Sequence, residues 1–254
     1  MMARPSDKPR RRDTADDAPG VRSPRVAILT GHHDRLDLFA HRLHDARRLE
    51  GLPFRAIAGE KDGVGLLVGA SGMGCPSIAR AALHLAGAGC RVFLRVGGAG
   101  PVMDGPGPGD LVVATGAVRH EGTSSRFLPA SWPAAADPGV VAALRRAAVA
   151  EGIRPWVGVV HTKDSFYGEI DPASSPVSGQ LQTDWDAWRR LGVICSEMEA
   201  AALFAIALHF GLRAGALLRI NDVHNESGAM SDAQQQLCDV ALRAACAIGG
   251  DADE

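Results

Sequence analysis

Short apolar segments alternate with segments of helical pattern along most of this chain, and this alternation limits the fold. The segments 64–70, 91–96 and 214–220 are dominated by apolar residues and have the length of buried strands. Between them lie helical segments such as 76–88, with proline near its start and Gly89 just after its end. Apolar strands separated by helices predict a mostly parallel sheet covered on both faces. The expected architecture is therefore a single α/β domain with a mixed, mostly parallel central sheet flanked by helices.

The same alternation gives the full set of predicted elements. The predicted strands are 25–30, 64–70, 91–96, 111–115, 156–160, 193–195 and 214–220. The predicted helices are 36–50, 76–88, 139–151, 181–191, 200–210 and 232–248. The longest predicted loop is 163–179.

In open sheets of this kind, ligands bind at the carboxyl ends of the strands. Gly31, Gly72, Gly97 and Asn221 each follow the end of a predicted strand. The turns that begin at these residues are therefore expected to meet at one site.

Composition limits the class of protein. The 254 residues are 46% hydrophobic, which is enough for one sizeable core. A net charge of −2 argues against nucleic acid as a partner, and no apolar run has the length of a membrane span. The five cysteines lack CxxC spacing and indicate a reduced, cytoplasmic protein. Residues 1–24 are polar, charged and proline-containing and are expected to form a disordered arm, which leaves 25–254 as the folded domain.

Arg95 is the first candidate for chemistry. It lies in the strand VFLRV, where burial of a charge is costly unless the charge is paired. It precedes Gly97 and Gly98 in a predicted glycine-rich turn, whose backbone N–H groups can approach an anion. Arg95 is therefore either one partner of an internal salt bridge or a ligand for phosphate. The adjacent glycines favour phosphate.

The second candidate is the turn TGHHDR at residues 30–35, which joins a strand to a helix. It places Arg35 in the first helical turn beside Gly31; the alternative is an ordinary helix start with Asp34 near the cap. The pair His32 and His33 resembles a metal-binding pair. However, adjacent residues do not share a face, and no His-x₃-His or cysteine partner stands nearby, so no metal is expected.

Two carboxylates, Glu197 and Glu199, flank Met198 just before the apolar helix AAALFAIA. Acidic residues are common in a first helical turn because they complement the helix dipole, and this explains one glutamate. A second suggests sugar recognition. A carboxylate can accept hydrogen bonds from both ribose hydroxyls and can stabilise positive charge on a sugar ring as a glycosidic bond breaks. Asp222, further along, could donate a proton to a leaving base, or belong to a turn-forming Asn-Asp pair.

Taken in order, these motifs resemble a known family. The chain contains GHHDR, SGMGCPS, FLRVGGAG, GDLVVATGAVRHEGTSSRFLP, KDSFYG and SEMEAAALF, in the order found in nucleoside phosphorylases of the uridine and purine nucleoside phosphorylase type. The resemblance covers roughly residues 25–245. The loop KDSFYGEIDPASSPVS and the following DWDAWRRLGV are most similar to uridine phosphorylases.

The resemblance implies reversible phosphorolysis. Phosphate attacks C1′ of a nucleoside through an oxocarbenium-like transition state, and free base and ribose 1-phosphate are released. Phosphate is the co-substrate, and no cofactor and no catalytic metal are implied, because positioning and charge stabilisation suffice. A homo-oligomer built from dimers, commonly a hexamer, is also implied. The implied roles are phosphate binding by Gly31, Arg35 and Arg95 beside Gly97 and Gly98, ribose binding by Glu197, Met198 and Glu199, and packing on the base or sugar by Phe166.

The chain departs from the family pattern at two places that concern phosphate. Gly98 stands where the family usually has Thr or Ser, whose hydroxyl contacts phosphate and ribose. Leu52 stands near the place of an arginine that a second subunit usually supplies, and Arg47, Arg48 and Arg55 are candidates to replace it. These departures keep a nucleosidase, which uses water in place of phosphate, as an alternative.

Two residues give opposite indications of the base. Uridine-type loops usually present a glutamine, whereas this loop presents Glu169, which when ionised only accepts hydrogen bonds and could take the N3–H of uracil. Asp222 stands where purine-type enzymes have the aspartic acid that protonates the purine ring. The longer loop match favours uridine, with purine nucleosides as the alternative. A non-catalytic protein that binds nucleosides is the remaining hypothesis.

Overall fold

The computed structural model describes residues 24–221 and 232–250. Within the first range, only the backbone is described for residues 169 and 170. The predicted N-terminal arm, apart from Pro24, and Asp222 lie outside the described residues. The described part is one α/β unit around a single sheet of 10 strands flanked by helices, which confirms the predicted fold class.

The strands are β1 (Val26–Thr30), β2 (His44–Leu49), β3 (Arg55–Lys61), β4 (Val64–Ala70), β5 (Val92–Pro101), β6 (Leu111–His120), β7 (Ala134–Ala135), β8 (Trp156–Lys163), β9 (Cys195–Glu197) and β10 (Arg213–Ile220). The helices are α1 (Asp34–Ala40), α2 (Cys75–Gly87), α3 (Pro138–Ala150), α4 (Tyr167–Ile170), α5 (Ser178–Arg190), α6 (Ala200–Phe210) and α7 (Asp232–Gly250). Short 3₁₀ turns occur at Ser124–Arg126 and Pro172–Ser174.

The sheet runs in the order β10-β6-β8-β9-β5-β1-β4-β3-β2, with β7 beside β6. Because β5 also pairs with β10, the strands β5, β10, β6, β8 and β9 close into a ring. Parallel pairs join β1 to β4 and to β5, and β5 to β10. Antiparallel pairs form the outer edge from β4 to β2 and two joints of the ring. The strand β5 is therefore bordered by three others at the centre of the fold.

Helices cover both faces of the sheet. The helices α2 and α6 pack in one apolar cluster, and α1, α3 and α7 pack in the other. The helix α6 is apolar on all sides, and its residues Ala200 to Ala207 are all buried. A helix of this kind belongs in the interior. Its N-terminus therefore carries the preceding glutamates into the protein rather than to the surface.

The predicted helix over 36–50 is wrong. The helix α1 ends at Ala40, and His44–Leu49 forms the edge strand β2. Its sequence HDARRL is largely exposed and charged, which suits a sheet edge, so it lacks the inward apolar residues that identify a strand. The strand β3 is missing from the predicted set. It pairs with β4 through a hairpin in which Asp62 and Gly63 have φ of 52° and 77°, the turn that an Asp-Gly pair favours.

The predicted glycine-rich turn after Arg95 is wrong as well. Gly97 and Gly98 lie inside β5, where they pair with Leu218 and Arg219 of β10. Neither glycine has a positive φ. These positions need glycine because a side chain would overlap its neighbours, and not because the backbone adopts an unusual conformation.

Candidate active site

The carboxyl ends of β1, β4 and β5 meet, as the parallel pairing requires. The N–H of Ser71 donates to the carbonyl of Thr30 at 2.8 Å and joins the segments that follow β4 and β1. A Cβ on Gly31 would lie 3.7 Å from the carbonyl oxygen of Gly72 and 4.0 Å from Nη1 of Arg95. Both turns therefore border the space that holds the Arg95 side chain.

Gly97 and Gly98 give two neighbouring side chains room. A Cβ on Gly97 would overlap the guanidinium of Arg95, and a Cβ on Gly98 would overlap the side-chain amide of Asn221. The ends of β5 and β10 thus border the same region as Gly31. The structure brings Gly31, Gly72 and Asn221, which follow β1, β4 and β10, near Gly97 and Gly98, which lie inside β5 rather than after it.

Arg95 is buried, with 4% of its surface exposed. Its Nη2 donates to Oε2 of Glu199, and its Nη1 donates to the carbonyl of Val96 at 3.0 Å. Its Nε lies 3.7 Å from a carboxylate oxygen of Glu197 but has no hydrogen-bond acceptor among the described residues. The two interpretations of this arginine are compatible, because the internal ion pair leaves Nε–H without an acceptor among the described residues.

Two more guanidinium groups lie in this region: Arg35 is near Arg95, and Arg219 is near Arg35. Arg35, in the first turn of α1, donates from Nη1 to Oγ1 of Thr30 at 3.3 Å, and its buried Nε finds no acceptor among the described residues. Burial, followed by the charge of Arg95 and a smaller effect of Arg219, lowers the pKa of Arg35 to about 10. Burial also lowers the pKa of Arg219, on β10. An anion among these groups would offset their mutual repulsion.

Glu199 joins this cluster to the N-terminus of α2. Its Oε1 accepts the backbone N–H of Gly74 at 2.6 Å, while its Oε2 accepts from Arg95. Only 2% of Glu199 is exposed. The carboxylate is therefore held by a backbone donor and a guanidinium.

Glu197 is occupied in a different way. Its Oε1 accepts from the hydroxyl of Thr162 at 2.5 Å, and its two oxygens accept the N–H groups of Glu199 and Ala200 at 2.8 to 3.0 Å. It therefore caps α6 and fixes the backbone of Glu199. Burial, followed by the charge of Glu199, raises the pKa of Glu197. Its carboxylate is already satisfied by the protein, whereas the sequence predicts a sugar ligand here.

The other predicted residues lie at the rim of this region or outside the described part. Met198 is half-buried, and its carbonyl accepts from the thiol of Cys75 at 3.2 Å. Phe166 is 40% exposed and stands at the N-terminus of α4. The backbone of Glu169 lies in α4.

A buried polar group at the end of β8 is absent from the sequence analysis. Ser196 Oγ lies 2.9 Å from both Nδ1 of His161 and Nζ of Lys163. The Lys163 ammonium also lies 5.7 Å from the ring centroid of Phe166, which connects this group to a predicted site residue. The register of β8 and β9 sets Ser196 opposite His161, and no local sequence motif reports that pairing.

This polar group faces a cavity of about 450 Å³ between β8 and α5. Its walls include His161, Lys163 and two indoles, Trp185 and Trp188. The ring of Trp188 stacks on His161 with 3.8 Å between centroids. An aromatic cavity with a few polar groups suits a flat heterocycle.

The histidine pair after β1 contacts a carboxylate. His32 Nδ1 and His33 Nε2 each lie 3.1 Å from an oxygen of Asp34, and all three side chains are exposed. The two rings stack with 4.7 Å between centroids, although adjacent residues were not expected to share a face. The three groups are close enough to share a metal ion, as are Cys75, Glu121 and Asp164.

Comparison with known proteins agrees with this geometry. The sequence profile of the phosphorylase superfamily matches residues 25–250. A uridine phosphorylase of Treponema pallidum is 39% identical over 176 residues, 69% of this chain and 68% of that protein. A guanosine phosphorylase of Halorubrum lacusprofundi is 34% identical over 211 residues, 82% of this chain and 83% of that protein. A uridine phosphorylase of Haemophilus influenzae is 32% identical over 233 residues, 88% of this chain and 92% of that protein.

This chain belongs to the phosphorylase superfamily. The match covers every strand and helix of the described fold, from β1 to the end of α7. In the part of the chain that the structure describes, no helix combines the length and apolar character needed to cross a membrane.

Proposed function

We propose that this protein cleaves nucleosides by phosphorolysis, with uridine as the preferred substrate, and releases free base and ribose 1-phosphate. The observation that carries the proposal is the contact between Arg95 and Glu199. It places an anion-binding group and an acceptor for sugar hydroxyls side by side in a buried region. The uridine phosphorylases among the relatives support uridine.

Phosphate binds between the guanidinium groups of Arg35 and Arg95. Each of these groups has a buried Nε–H without an acceptor among the described residues, so each can donate to an oxyanion. Gly31 borders the space, while Gly97 and Gly98 leave room for the Arg95 guanidinium and the Asn221 amide at its edge. Phosphate is the co-substrate in this account, and no further cofactor is needed.

Glu199 holds the ribose. Its carboxylate accepts from the 2′- and 3′-hydroxyls while Arg95 keeps it oriented, and Met198 packs beside the sugar. Glu197 acts through Glu199, because it fixes the backbone N–H of that residue at 2.8 Å.

The reaction needs little covalent chemistry from the protein. The bond from C1′ to the base breaks, its electron pair leaves with the base, and a phosphate oxygen forms the new bond to C1′. Positive charge that develops on the sugar ring is stabilised by the bound phosphate and by Glu199. A proton from solvent or from an acidic side chain completes the free base. Positioning of phosphate beneath C1′ supplies much of the rate enhancement.

The base lies toward Phe166 and Lys163. Phe166 packs on the ring, and the Lys163 ammonium donates to a ring carbonyl, a contact that ionised Glu169 cannot make. Glu169 accepts from the ring N–H. Purine nucleosides are the second candidate, supported by the guanosine phosphorylase among the relatives, with Asp222 as the proton donor to the purine.

We also propose a cytoplasmic homo-oligomer built from dimers. Arg47 and Arg48 on β2 and Arg55 on β3 support assembly, because they lie at one edge of the sheet near Leu52, where the resemblance implies an arginine that one subunit gives to another.

One assay tests the proposed function. The purified protein is incubated with uridine, thymidine, inosine, guanosine and adenosine, with and without phosphate, and the products are separated by chromatography. Phosphate-dependent release of uracil together with ribose 1-phosphate is expected. Equal base release in phosphate-free buffer would instead indicate a nucleosidase, and ligand binding without any product would indicate a non-catalytic protein.

A further inference from the structure

Gly98 and Asn221 compete for one space. Gly98 has no positive φ, so its backbone would accept a side chain without strain. A Cβ there would nevertheless overlap the amide of Asn221, and the nearest amide atom is Nδ2. The side chain of Asn221 therefore occupies the place that a side chain at position 98 would take.

The orientation of this amide is fixed by Arg219. Nη2 of Arg219 lies 3.0 Å from Oδ1 of Asn221. A guanidinium only donates, so the atom that it contacts must be the amide oxygen. The amide nitrogen, with its two hydrogens, is consequently directed toward Gly98. The backbone N–H of Asn221 donates to the carbonyl of Ala99 at 2.9 Å and anchors the residue to β5.

The same amide lies beside the guanidinium cluster. Arg219 is paired with Gly98 across β10 and β5, and its charge lowers the pKa of Arg35. Arg219, which contacts the Asn221 amide, therefore joins this amide to the guanidinium cluster. An oxyanion held by Arg35 and Arg95 would lie near a donor on Asn221, the residue that follows β10.

We propose that the amide of Asn221 donates a hydrogen bond to the bound phosphate in place of a hydroxyl at position 98, and that Arg219 is the positioning residue that holds this amide. The proposal rests on phosphorolysis as the function. In the family that this chain resembles, a hydroxyl at position 98 makes this phosphate contact; here Asn221, the residue that follows β10, makes it instead. The proposal also explains why position 98 is a glycine.

The test moves the proposed hydrogen-bond donor from position 221 to position 98. Asn221→Ala removes the donor, and Gly98→Thr displaces it; each change is expected to raise KM for phosphate about tenfold, the loss of one hydrogen bond to a charged group. KM for uridine should change less than threefold. In the double variant Gly98→Thr with Asn221→Ala, the threonine hydroxyl has room, and KM for phosphate is expected to return to within about threefold of the parent.

Two further variants separate this role from a structural one. Arg219→Met is expected to raise KM for phosphate more strongly in the parent than in the Asn221→Ala background, because its orienting effect needs the amide. Gly107→Ala, in the loop between β5 and β6, is the glycine control, since a Cβ there meets nothing within 4 Å. Thermal unfolding of every variant identifies any that fail to fold.

The outcomes are distinct. Additive losses in the double variant, or an unchanged KM for phosphate in Asn221→Ala, would overturn the proposal while the parent enzyme still requires phosphate. If the parent cleaves uridine equally well without phosphate, the proposed function itself fails.

Discussion

The oxyanion side of the site and its base side are held together by different chemistry. We define the oxyanion side by Arg35, Arg95 and Glu199, and the base side by Lys163 and Ser196. On the oxyanion side, the buried Nε–H groups of Arg35 and Arg95 have no acceptor among the described residues. On the base side, Lys163 and His161 both lie within hydrogen-bond distance of Ser196. The first region is left with excess positive charge that an anion relieves, whereas the second is satisfied internally and selects by shape and a few donors.

The largest effect is expected from Arg95→Lys. Lysine keeps the charge but loses the forked geometry that contacts Glu199 and phosphate together. We expect kcat/KM to fall about a hundredfold to a thousandfold, mainly through phosphate. Steady-state kinetics with uridine and phosphate varied separately measures this. Arg213→Lys, at an exposed ion pair with Asp137, is the matched control and should be silent. If kcat/KM of the Arg95→Lys enzyme were within threefold of the parent value, Arg95 would not be a phosphate ligand.

The next effect separates the two glutamates. Glu199→Gln should lower kcat about a hundredfold, because the amide loses the charge that stabilises the sugar. Both Glu199→Gln and Glu197→Gln should lower the free energy of unfolding by about 2 kcal/mol, since each amide NH₂ would face a donor, but Glu197→Gln should change kcat much less. Kinetics and urea unfolding of both variants give the comparison. Equal catalytic losses with unchanged stability would make Glu197 a second sugar ligand.

A smaller effect is expected on the base side. Lys163→Met removes one donor to the base and should raise KM for uridine about tenfold while KM for phosphate stays unchanged. The matched control is Lys61→Met at the end of β3, which should leave both constants unchanged. If Lys163→Met altered KM for phosphate instead, the division into two sides would be incorrect.

The smallest effect concerns stability. Phosphate should raise the melting temperature, because an anion offsets the burial and the charge of Arg95 that together lower the pKa of Arg35. At a hundredfold excess over Kd the gain is about 2.7 kcal/mol, or about 5 to 10 °C for a domain of this size. Thermal unfolding in phosphate and in chloride at equal ionic strength measures it. Lys163→Met should keep the shift and Arg95→Lys should lose most of it; the reverse pattern would exchange the two sides.

The oxyanion side was largely predictable because Gly31 and Arg35 follow β1, and Arg95 lies in the neighbouring parallel strand β5. Parallel strands bring their carboxyl ends to one edge, so Gly31 and Arg95 were expected to meet although they lie far apart in sequence. The ion pair of Arg95 with Glu199 needs the ring closure through β9, which is a three-residue strand. Sequence patterns report the presence of such a short strand but not its partners.

The base side and the role of Glu197 were not predictable in the same way. His161 and Ser196 lie in different strands, 35 positions apart in the chain, and the register of β8 against β9 sets them opposite each other. Glu197 and Glu199 look alike in sequence. One faces Thr162 and the N-terminus of α6 and the other faces Arg95, a difference that depends on the backbone at a strand-to-helix junction.

Isotopic labelling shows whether phosphate or water attacks C1′. Uridine is incubated with phosphate that carries heavy oxygen at every position, and the sugar product is analysed by mass spectrometry. We expect ribose 1-phosphate that retains all of the labelled oxygens, since a phosphate oxygen forms the new bond to C1′. Free ribose whose new oxygen comes from water would contradict phosphorolysis.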